Sequence, residues 1–292
     1  MPNTCQTAWL NGRFLPLETA HISPLDRGFL FGDAVYEVIP VYDGLAYRFA
    51  EHIARLDRSQ RELRMEPRLS AADWRSVCGG LIHRNGAGNL LLYLQVSRGV
   101  EAERRHVPRQ PGPAPTLFGM ASRAEPPATD PLQRTSSCIT LEDNRWARCD
   151  IKSTALLANV MVKWQAEDAG AQEAILLRNG WLTEGGSSCV HVLLDDTLVT
   201  PPQDWQVLPG TTRDVVNEVA PRAGLATAQR MISRDELLAA REVMVSAAGS
   251  GLRSVTRIDG RPVGDGLPGP VFRRLHQAWL DALPEFSTDC RE

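Results

Sequence analysis

The segment Arg148-Cys149-Asp150-Ile151-Lys152-Ser153 contains one of only two lysines in the chain. The other is Lys163, and all remaining members of the 32 basic residues are arginine. An arginine guanidinium stays protonated, whereas a lysine amine can lose its proton and attack a carbonyl carbon. A lysine retained in so arginine-rich a chain is therefore a candidate nucleophile, and the position of Lys152 before an apolar stretch favours it over Lys163.

The composition around this segment is that of an ordinary soluble protein. The chain has 292 residues, of which 43% are hydrophobic and 23% charged, and its formal net charge is -3. These values exclude disordered and collagen-like chains and offer no electrostatic basis for binding nucleic acid. No run of about 18 apolar residues predicts a membrane helix, and the N-terminus lacks a signal-peptide pattern. We expect a cytoplasmic protein without a membrane or nucleic-acid partner.

Cysteines and histidines are scattered along the chain. The six cysteines form no C-x-x-C pair and the six histidines form no H-x-x-x-H pair. In a cytosolic chain of this size, such spacing favours reduced thiols over disulfides or zinc ligands. We therefore expect no metal site.

The first part of the chain mixes strand and helix signals. The Asn11-Gly12 pair predicts a tight hairpin, and residues 35–42 alternate like a strand that turns back at Asp43-Gly44. The other predicted elements here are a return strand at 45–49, helices at 50–64 and 71–83, and strands at 90–97 and 117–120.

A proline-rich segment divides the chain. Residues 125–131 hold three prolines, which is typical of a linker. We predict a small N-terminal α/β domain at 1–121, a linker at 122–129 and a larger C-terminal α/β domain at 130–292. In the latter we expect strands near 137–141, 173–177, 189–194 and 243–246, and helices near 154–169, 212–223, 234–240 and 270–282.

Two turns in the second half can face an anion. Thr183-Glu184-Gly185-Gly186-Ser187-Ser188 places a carboxylate before a glycine-rich turn that bears two hydroxyls. Leu208-Pro209-Gly210-Thr211-Thr212-Arg213 leads into a helix, and the N–H groups of a helix N-terminus bind phosphate. The alternatives are an ordinary hairpin and an ordinary helix start.

Three basic residues in the first half can also bind an anion. Arg55, in Glu51-His52-Ile53-Ala54-Arg55-Leu56, can reach a phosphate with two donors. Arg104 and His106 lie in a loop where clustered cations can trap a carboxylate. The alternatives are a solvated arginine and an exposed charged loop.

Taken in order, these motifs resemble the class IV aminotransferases, the fold type IV enzymes that use pyridoxal 5'-phosphate (PLP). The motifs that carry the resemblance are Asp26-Arg27-Gly28, Gly32-Asp33-Ala34-Val35-Tyr36-Glu37, Glu51-His52-Ile53-Ala54-Arg55-Leu56, Asp150-Ile151-Lys152-Ser153, Leu182-Thr183-Glu184-Gly185 and Gly210-Thr211-Thr212-Arg213. They span most of the chain. The resemblance implies two mixed α/β domains with the cofactor in the cleft between them.

Within the family, the D-amino acid aminotransferases are most similar. Val35-Tyr36-Glu37-Val38, the segment at 145–153 and the Arg-x-His of Arg104 and His106 all resemble that branch. This similarity implies transfer of an amino group from a D-amino acid such as D-alanine to 2-oxoglutarate or pyruvate. It also implies a homodimer.

The resemblance further implies a role for each site residue. Lys152 would form the internal aldimine and then carry the proton between substrate Cα and cofactor C4′, and Glu184 would pair with the pyridine nitrogen. Arg55 and the Gly210, Thr211 and Thr212 turn would hold the phosphate, and Leu208 would pack against the ring. Ser187, Ser188, Ala247 and Ala248 complete the cofactor contacts, while Tyr36, Arg104 and His106 receive the substrate carboxylate, the last two in a neighbouring subunit.

Three features depart from the family pattern. Gly186 and Cys189 stand where the family usually has hydroxyl or amide side chains, and Ala247-Ala248 replaces a turn usually rich in serine and threonine. The Arg-x-His loop also lies one residue later than usual. An alignment without a gap would put Glu103 and Arg105 in the places of Arg104 and His106, and that pair would not make a carboxylate trap.

Other functions stay open at this point. Within the family these are a branched-chain or other L-amino acid aminotransferase, an R-selective amine transaminase and aminodeoxychorismate lyase. Outside it, a catalytically inactive PLP-binding or regulatory protein is possible, although the retained Lys152, Glu184 and Arg55 argue against that.

Overall fold

The computed structural model describes residues 5–290 and divides into two compact units. The first unit is Met1–Pro126 with Ile151–Ala155 and Phe286–Glu292, and the second is Pro127–Asp150 with Leu156–Glu285. The boundary between the two units, at 126/127, falls within the predicted linker. Two described segments expected in the C-terminal domain, 151–155 and 286–290, instead pack with the first unit, so Lys152 is a residue of the first unit.

The first unit is built on one antiparallel sheet with helices against it. Its elements are β1 (Thr7–Leu10), β2 (Arg13–Pro16), α1 (Arg27–Phe31), β3 (Ala34–Tyr42), β4 (Leu45–Tyr47), α2 (Phe49–Glu62), α3 (Ala71–Arg84), β5 (Leu90–Ser97) and β6 (Thr116–Arg123). The predicted Asn11-Gly12 turn is confirmed, with both residues at positive φ. Helix α3 begins with a capping box formed by Ser70 and Asp73.

The core of the first unit lies between the sheet and α2 and α3. Strand β3 pairs with the whole of β5, from Ala34–Ser97 to Val41–Leu90. Its inward side chains, such as Val35, Ile39 and Val41, pack with Ile53 and Leu56 of α2. This packing fixes one face of α2 against β3.

The second unit is built on a mixed sheet. Its elements are β7 (Thr135–Glu142), α4 (Leu157–Asp168), β8 (Glu173–Arg178), β9 (Trp181–Gly185), β10 (Cys189–Leu194), β11 (Thr197–Thr200), α5 (Thr211–Val219), β12 (Ala226–Gln229), α6 (Arg234–Ala239), β13 (Glu242–Ala247), β14 (Gly251–Ile258), β15 (Arg261–Pro262) and α7 (Pro270–Ala282). The strand order is β12-β11-β10-β13-β14-β7-β8-β9, with β15 beside β14. A last strand, β16 (Ser287–Thr288), returns to pair with β4 of the first unit's sheet.

Several elements of the second unit differ from their predicted bounds. The turn expected at 183–188 begins only at Gly186, because β9 pairs with β8 as far as Gly185. Helix α4 begins at Leu157 rather than at residue 154, since the preceding residues bond to the first unit's β3. Strands β9, β11, β12 and β14 were not predicted. Among the described residues, no helix is both long and apolar enough to cross a membrane.

Candidate active site

Lys152 is held at the edge of β3 by main-chain bonds. Its carbonyl oxygen accepts from Tyr36 N at 3.0 Å and its own N–H donates to Ser59 Oγ at 3.2 Å. Its Nζ lies 4.2 Å from the centroid of the Tyr36 ring, which in turn stacks on Tyr93 at 5.6 Å. The structure therefore brings the candidate nucleophile and the predicted carboxylate-binding tyrosine together.

Arg55 is buried, not solvated. Its Nε donates to Glu37 Oε1 at 2.7 Å and its Nη2 to Glu37 Oε2 at 2.8 Å. The ring of His52 completes the cluster, with Nδ1 at 2.7 Å from the same carboxylate. Arg55 is only 8% exposed, and Glu37 and His52 are fully buried. A bidentate pair fixes the plane of a guanidinium, so the orientation of Arg55 is set by Glu37.

The cluster stays charged over a wide pH range. Burial alone would raise the pKa of Glu37, but the Arg55 guanidinium and His52 together hold it well below its ordinary value. Burial lowers the pKa of His52, and the nearby Arg55 and Lys152 add to that effect against the attraction of Glu37. The positive charge of the cluster is therefore concentrated on Arg55.

Replacing Glu37 by glutamine is expected to lower the free energy of unfolding by about 3 kcal/mol, because it leaves a buried arginine without its carboxylate. Urea unfolding measures the change. The wild-type protein should also lose stability as the pH falls below the ordinary carboxyl pKa, since the folded-state pKa of Glu37 is depressed, and the Glu37→Gln variant should lose less. The matched control is Glu51→Gln, which removes a half-exposed carboxylate of α2 that pairs with Arg48. An equal loss in both variants would contradict the role of Glu37 as the buried carboxylate partner of Arg55.

The loop at 101–109 turns Arg104 and His106 toward one aromatic ring. The Arg104 guanidinium carbon lies 4.7 Å from the Phe31 centroid, and the His106 ring lies 5.5 Å from it. Glu103, by contrast, pairs with Arg109 at 3.1 Å. The structure thus places Arg104 and His106 beside the same ring and pairs Glu103 with a different residue.

Glu184 lies on β9 within a buried ionic network of the second unit. Its Oε1 accepts from Arg145 Nη1 at 2.5 Å and its Oε2 from the N–H of Leu208 at 3.0 Å. Arg145 is held on its other side by a bidentate pair with Asp143, at 2.9 Å for both bonds. Burial raises the pKa of Glu184, while the Arg145 guanidinium acts in the opposite direction. The carboxylate therefore has a fixed orientation and a cationic partner.

Thr211 and Thr212 form the first turn of α5, after Gly210. Gly210 caps the helix without a side-chain hydrogen bond, and both threonines are buried. A side chain at Gly210 would meet Cys189 Sγ at 2.5 Å, so the close approach of the two requires glycine. Ala247 and Ala248 lie where β13 ends, and Ser250 N donates to Ala247 O at 3.2 Å in the turn that follows. The N-terminus of α5 can therefore receive an anion through its N–H groups.

The hydroxyls of Ser187 and Ser188 share one carboxylate partner. Both donate to Glu173 Oε2, at 2.9 and 3.1 Å. Glu173 also receives Lys163 Nζ at 3.3 Å on Oε1, so Lys163 has a structural contact rather than a plain surface position.

Sequence reasoning assigned no role to Glu37, Arg145 or Glu173. Each is a buried charge beside a predicted site residue. Glu37 could have been singled out, because it is a lone charge within the apolar run at 35–41, and a buried charge needs a partner. Among residues 5–290, no group of three or more His, Cys, Asp or Glu side chains is arranged to hold a metal ion.

A family model described as amino-transferase class IV matches residues 34–258. The chain belongs to the class IV aminotransferases. This aminotransferase is 39% identical over 273 residues to a protein named D-alanine aminotransferase from Bacillus licheniformis, covering 94% of this chain and 95% of that one. A protein of the same name from Staphylococcus haemolyticus is 35% identical over 271 residues, covering 93% of this chain and 95% of that one.

Solved structures show the same fold type IV architecture. The branched-chain amino acid aminotransferase of Escherichia coli superposes with a TM-score of 0.87 at 25% identity, covering 99% of this chain and 96% of that chain. A branched-chain amino acid aminotransferase from T.th., complexed with N-(5'-phosphopyridoxyl)-L-glutamate, gives a TM-score of 0.88 at 26% identity, covering 98% of this chain and 99% of that chain. The predicted fold class is therefore confirmed.

Proposed function

We propose that this aminotransferase is a PLP-dependent D-amino acid transaminase. It takes the amino group from a donor of the D-alanine type and passes it to a 2-oxo acid such as 2-oxoglutarate or pyruvate. The observation that carries the proposal is 39% identity, over 94% of the chain, to a protein named D-alanine aminotransferase. The arrangement of Arg104 and His106 on one ring supports it.

The cofactor is PLP, and the side chains present fit it. PLP needs an amine to attach it, cations and N–H groups for its phosphate, and a carboxylate for its ring nitrogen. The chain offers Lys152, the oriented guanidinium of Arg55, the first turn of α5 at Thr211 and Thr212, and Glu184. Bound PLP supplies an electron-accepting ring that makes the substrate Cα proton easier to remove.

Lys152 holds and moves the proton. Its amine would attach the cofactor, and when free it would act as the base that takes the proton from the substrate Cα. The main-chain bonds to Tyr36 and Ser59 hold the base of the side chain while the amine remains free to swing. The Tyr36 ring, whose centroid lies 4.2 Å from Nζ, keeps the amine against its own face.

Glu184 holds a proton at the ring nitrogen. Its position is set by Arg145 and Leu208 N–H, so it presents one fixed carboxylate to a cationic N–H. Its buried position strengthens that pairing.

Arg104 and His106 orient the substrate. A carboxylate fixed on one side decides which hydrogen of Cα faces the lysine amine, so the position of this trap selects the D or the L substrate. Tyr36 supplies a further contact for the carboxylate.

The activity test is pyruvate release with 2-oxoglutarate as acceptor, using D-alanine or L-alanine as donor. Pyruvate from D-alanine alone is the expected result. Pyruvate from L-alanine alone would move the assignment to the L-specific branch, which the branched-chain structures favour at only 25–26% identity. Pyruvate from neither would point to an amine donor or to lyase chemistry.

We also propose a homodimer in the cytoplasm. Helix α4 exposes four apolar side chains at helical spacing: Leu157 is 72%, Val160 42%, Met161 50% and Trp164 61% exposed. Such a stripe fits a second copy of the chain, because apolar stripes of this kind mark interfaces. All six cysteines are free thiols, which suits a reducing compartment. Arg104 and His106 would then serve the neighbouring subunit's site.

Replacing Trp164 by glutamate is expected to convert the dimer to monomers and to remove most of the activity, because the change puts a charge within the apolar stripe. Sedimentation at micromolar concentration measures the mass. The control is Gln165→Glu, an added charge at an exposed polar position of the same helix. A monomeric wild-type protein, or a Trp164→Glu variant that stays dimeric, would contradict this interface.

A further inference from the structure

The loop at 101–109 is anchored on one buried arginine. Arg27 is 3% exposed, and its Nη1 and Nη2 donate to the carbonyl oxygens of Arg105 and His106 at 2.5 and 2.8 Å. Its Nε donates to Asp33 Oδ2 at 2.8 Å, which fixes the guanidinium itself. One side chain therefore holds two successive carbonyl groups of the loop.

Glu101 closes the same loop. Its Oε2 accepts from Arg27 Nη1 at 3.1 Å and its Oε1 accepts from the N–H of Arg109 at 2.7 Å. Glu101 is 6% exposed. The two ends of the loop are thus tied to each other and to Arg27.

The Phe31 ring lies among the side chains of this anchor. The guanidinium carbons of Arg27 and Arg104 lie 4.9 and 4.7 Å from its centroid, and the His106 ring lies 5.5 Å away. Cations are attracted to an aromatic face at such distances. An arginine that is already held loses less rotamer freedom when it binds a carboxylate.

We propose that Arg27 and Phe31 are positioning residues for the substrate carboxylate: Arg27 fixes the main chain of the loop, and Phe31 fixes the side chains of Arg104 and His106. This inference rests on the proposed function, because it assigns the loop to a carboxylate substrate. Neither residue touches the reacting atoms in this account.

The test is Phe31→Leu in the PLP-loaded enzyme. The KM for D-alanine is expected to rise roughly 3- to 10-fold with kcat changed less than about 2-fold, because a cation–π contact and one held rotamer are lost. The Kd of propionate, a simple carboxylate, should rise by the same factor in calorimetric titration of the holoenzyme. The affinity for PLP should not change.

Two variants control the result. Phe31→Tyr keeps the aromatic ring and should have the wild-type KM for D-alanine. Phe29→Leu changes a 75% exposed phenylalanine of the same helix and should leave KM and propionate binding unchanged. A parallel variant, Arg27→Lys, keeps the charge, but a lysine cannot reach both carbonyl groups. It should therefore raise the Kd of propionate, as Phe31→Leu does.

An unchanged propionate Kd in Phe31→Leu would overturn the inference, and so would a loss of PLP affinity that accompanies the change in KM. If the wild-type enzyme does not act on D-alanine, the proposed function fails. Propionate binding then still decides whether Phe31 positions a carboxylate.

Discussion

Replacing Lys152 by arginine is expected to reduce turnover by at least about 1,000-fold, since a positioned proton-transfer group alone contributes roughly 10²–10⁴-fold. The arginine keeps the charge but cannot act as an amine nucleophile or as a base near neutral pH. Steady-state pyruvate formation from D-alanine measures the loss. Fold and stability should be preserved, because the hydrogen bonds of residue 152 with β3 and α2 are made by its main chain.

The matched control is Lys163→Arg, the only other lysine. Lys163 Nζ bonds Gln172 O at 2.7 Å and contacts Glu173, and an arginine can keep both interactions. This variant should retain most of the activity. Substantial turnover in Lys152→Arg, or equal losses in both variants, would show that Lys152 is not the reactive amine.

Replacing Glu184 by glutamine is expected to reduce kcat by roughly 100-fold, comparable to the loss of one electrostatic group aimed at a reacting centre. The amide can keep a hydrogen bond to Leu208 N–H but has no charge to hold a proton at the ring nitrogen. Arg145 keeps its bidentate pair with Asp143, so the local structure has a remaining anchor. Single-turnover kinetics separates the chemical step from substrate binding.

The control for this variant is Glu142→Gln, which neutralises an exposed carboxylate of the same sheet that accepts a long bond from Asn179 N at 3.3 Å. It should leave kcat unchanged. A Glu184→Gln enzyme with wild-type kcat would remove Glu184 from the ring-nitrogen role and leave it as a structural partner of Arg145.

Features with local causes could be predicted from the sequence. The Asn11-Gly12 hairpin follows from the backbone preferences of two residues, and the start of α3 follows from the reciprocal bonds of Ser70 and Asp73. Helix α7 was predicted at its observed bounds because Pro270 favours the first turn and the apolar spacing is regular. Each of these signals lies within a short stretch of the chain.

Features that depend on tertiary pairing could not be predicted. Glu37 and Arg55 are 18 residues apart, and they meet only because α2 packs on β3. Ser187 and Ser188 turn to Glu173 because β8 and β9 pair as neighbours, which no local pattern indicates. The return of β16 to the first unit likewise depends on pairing with β4. Motif order therefore predicted the family, while the partners of these residues emerged only from the fold.

The most direct test is the visible spectrum of the PLP-loaded protein on addition of D-alanine, with L-alanine as the paired sample. We predict a yellow absorbance that bleaches with D-alanine and persists with L-alanine. Bleaching by L-alanine alone would contradict the assignment of Arg104 and His106 as a D-selective trap. No yellow colour after incubation with PLP would contradict the cofactor and the role of Lys152.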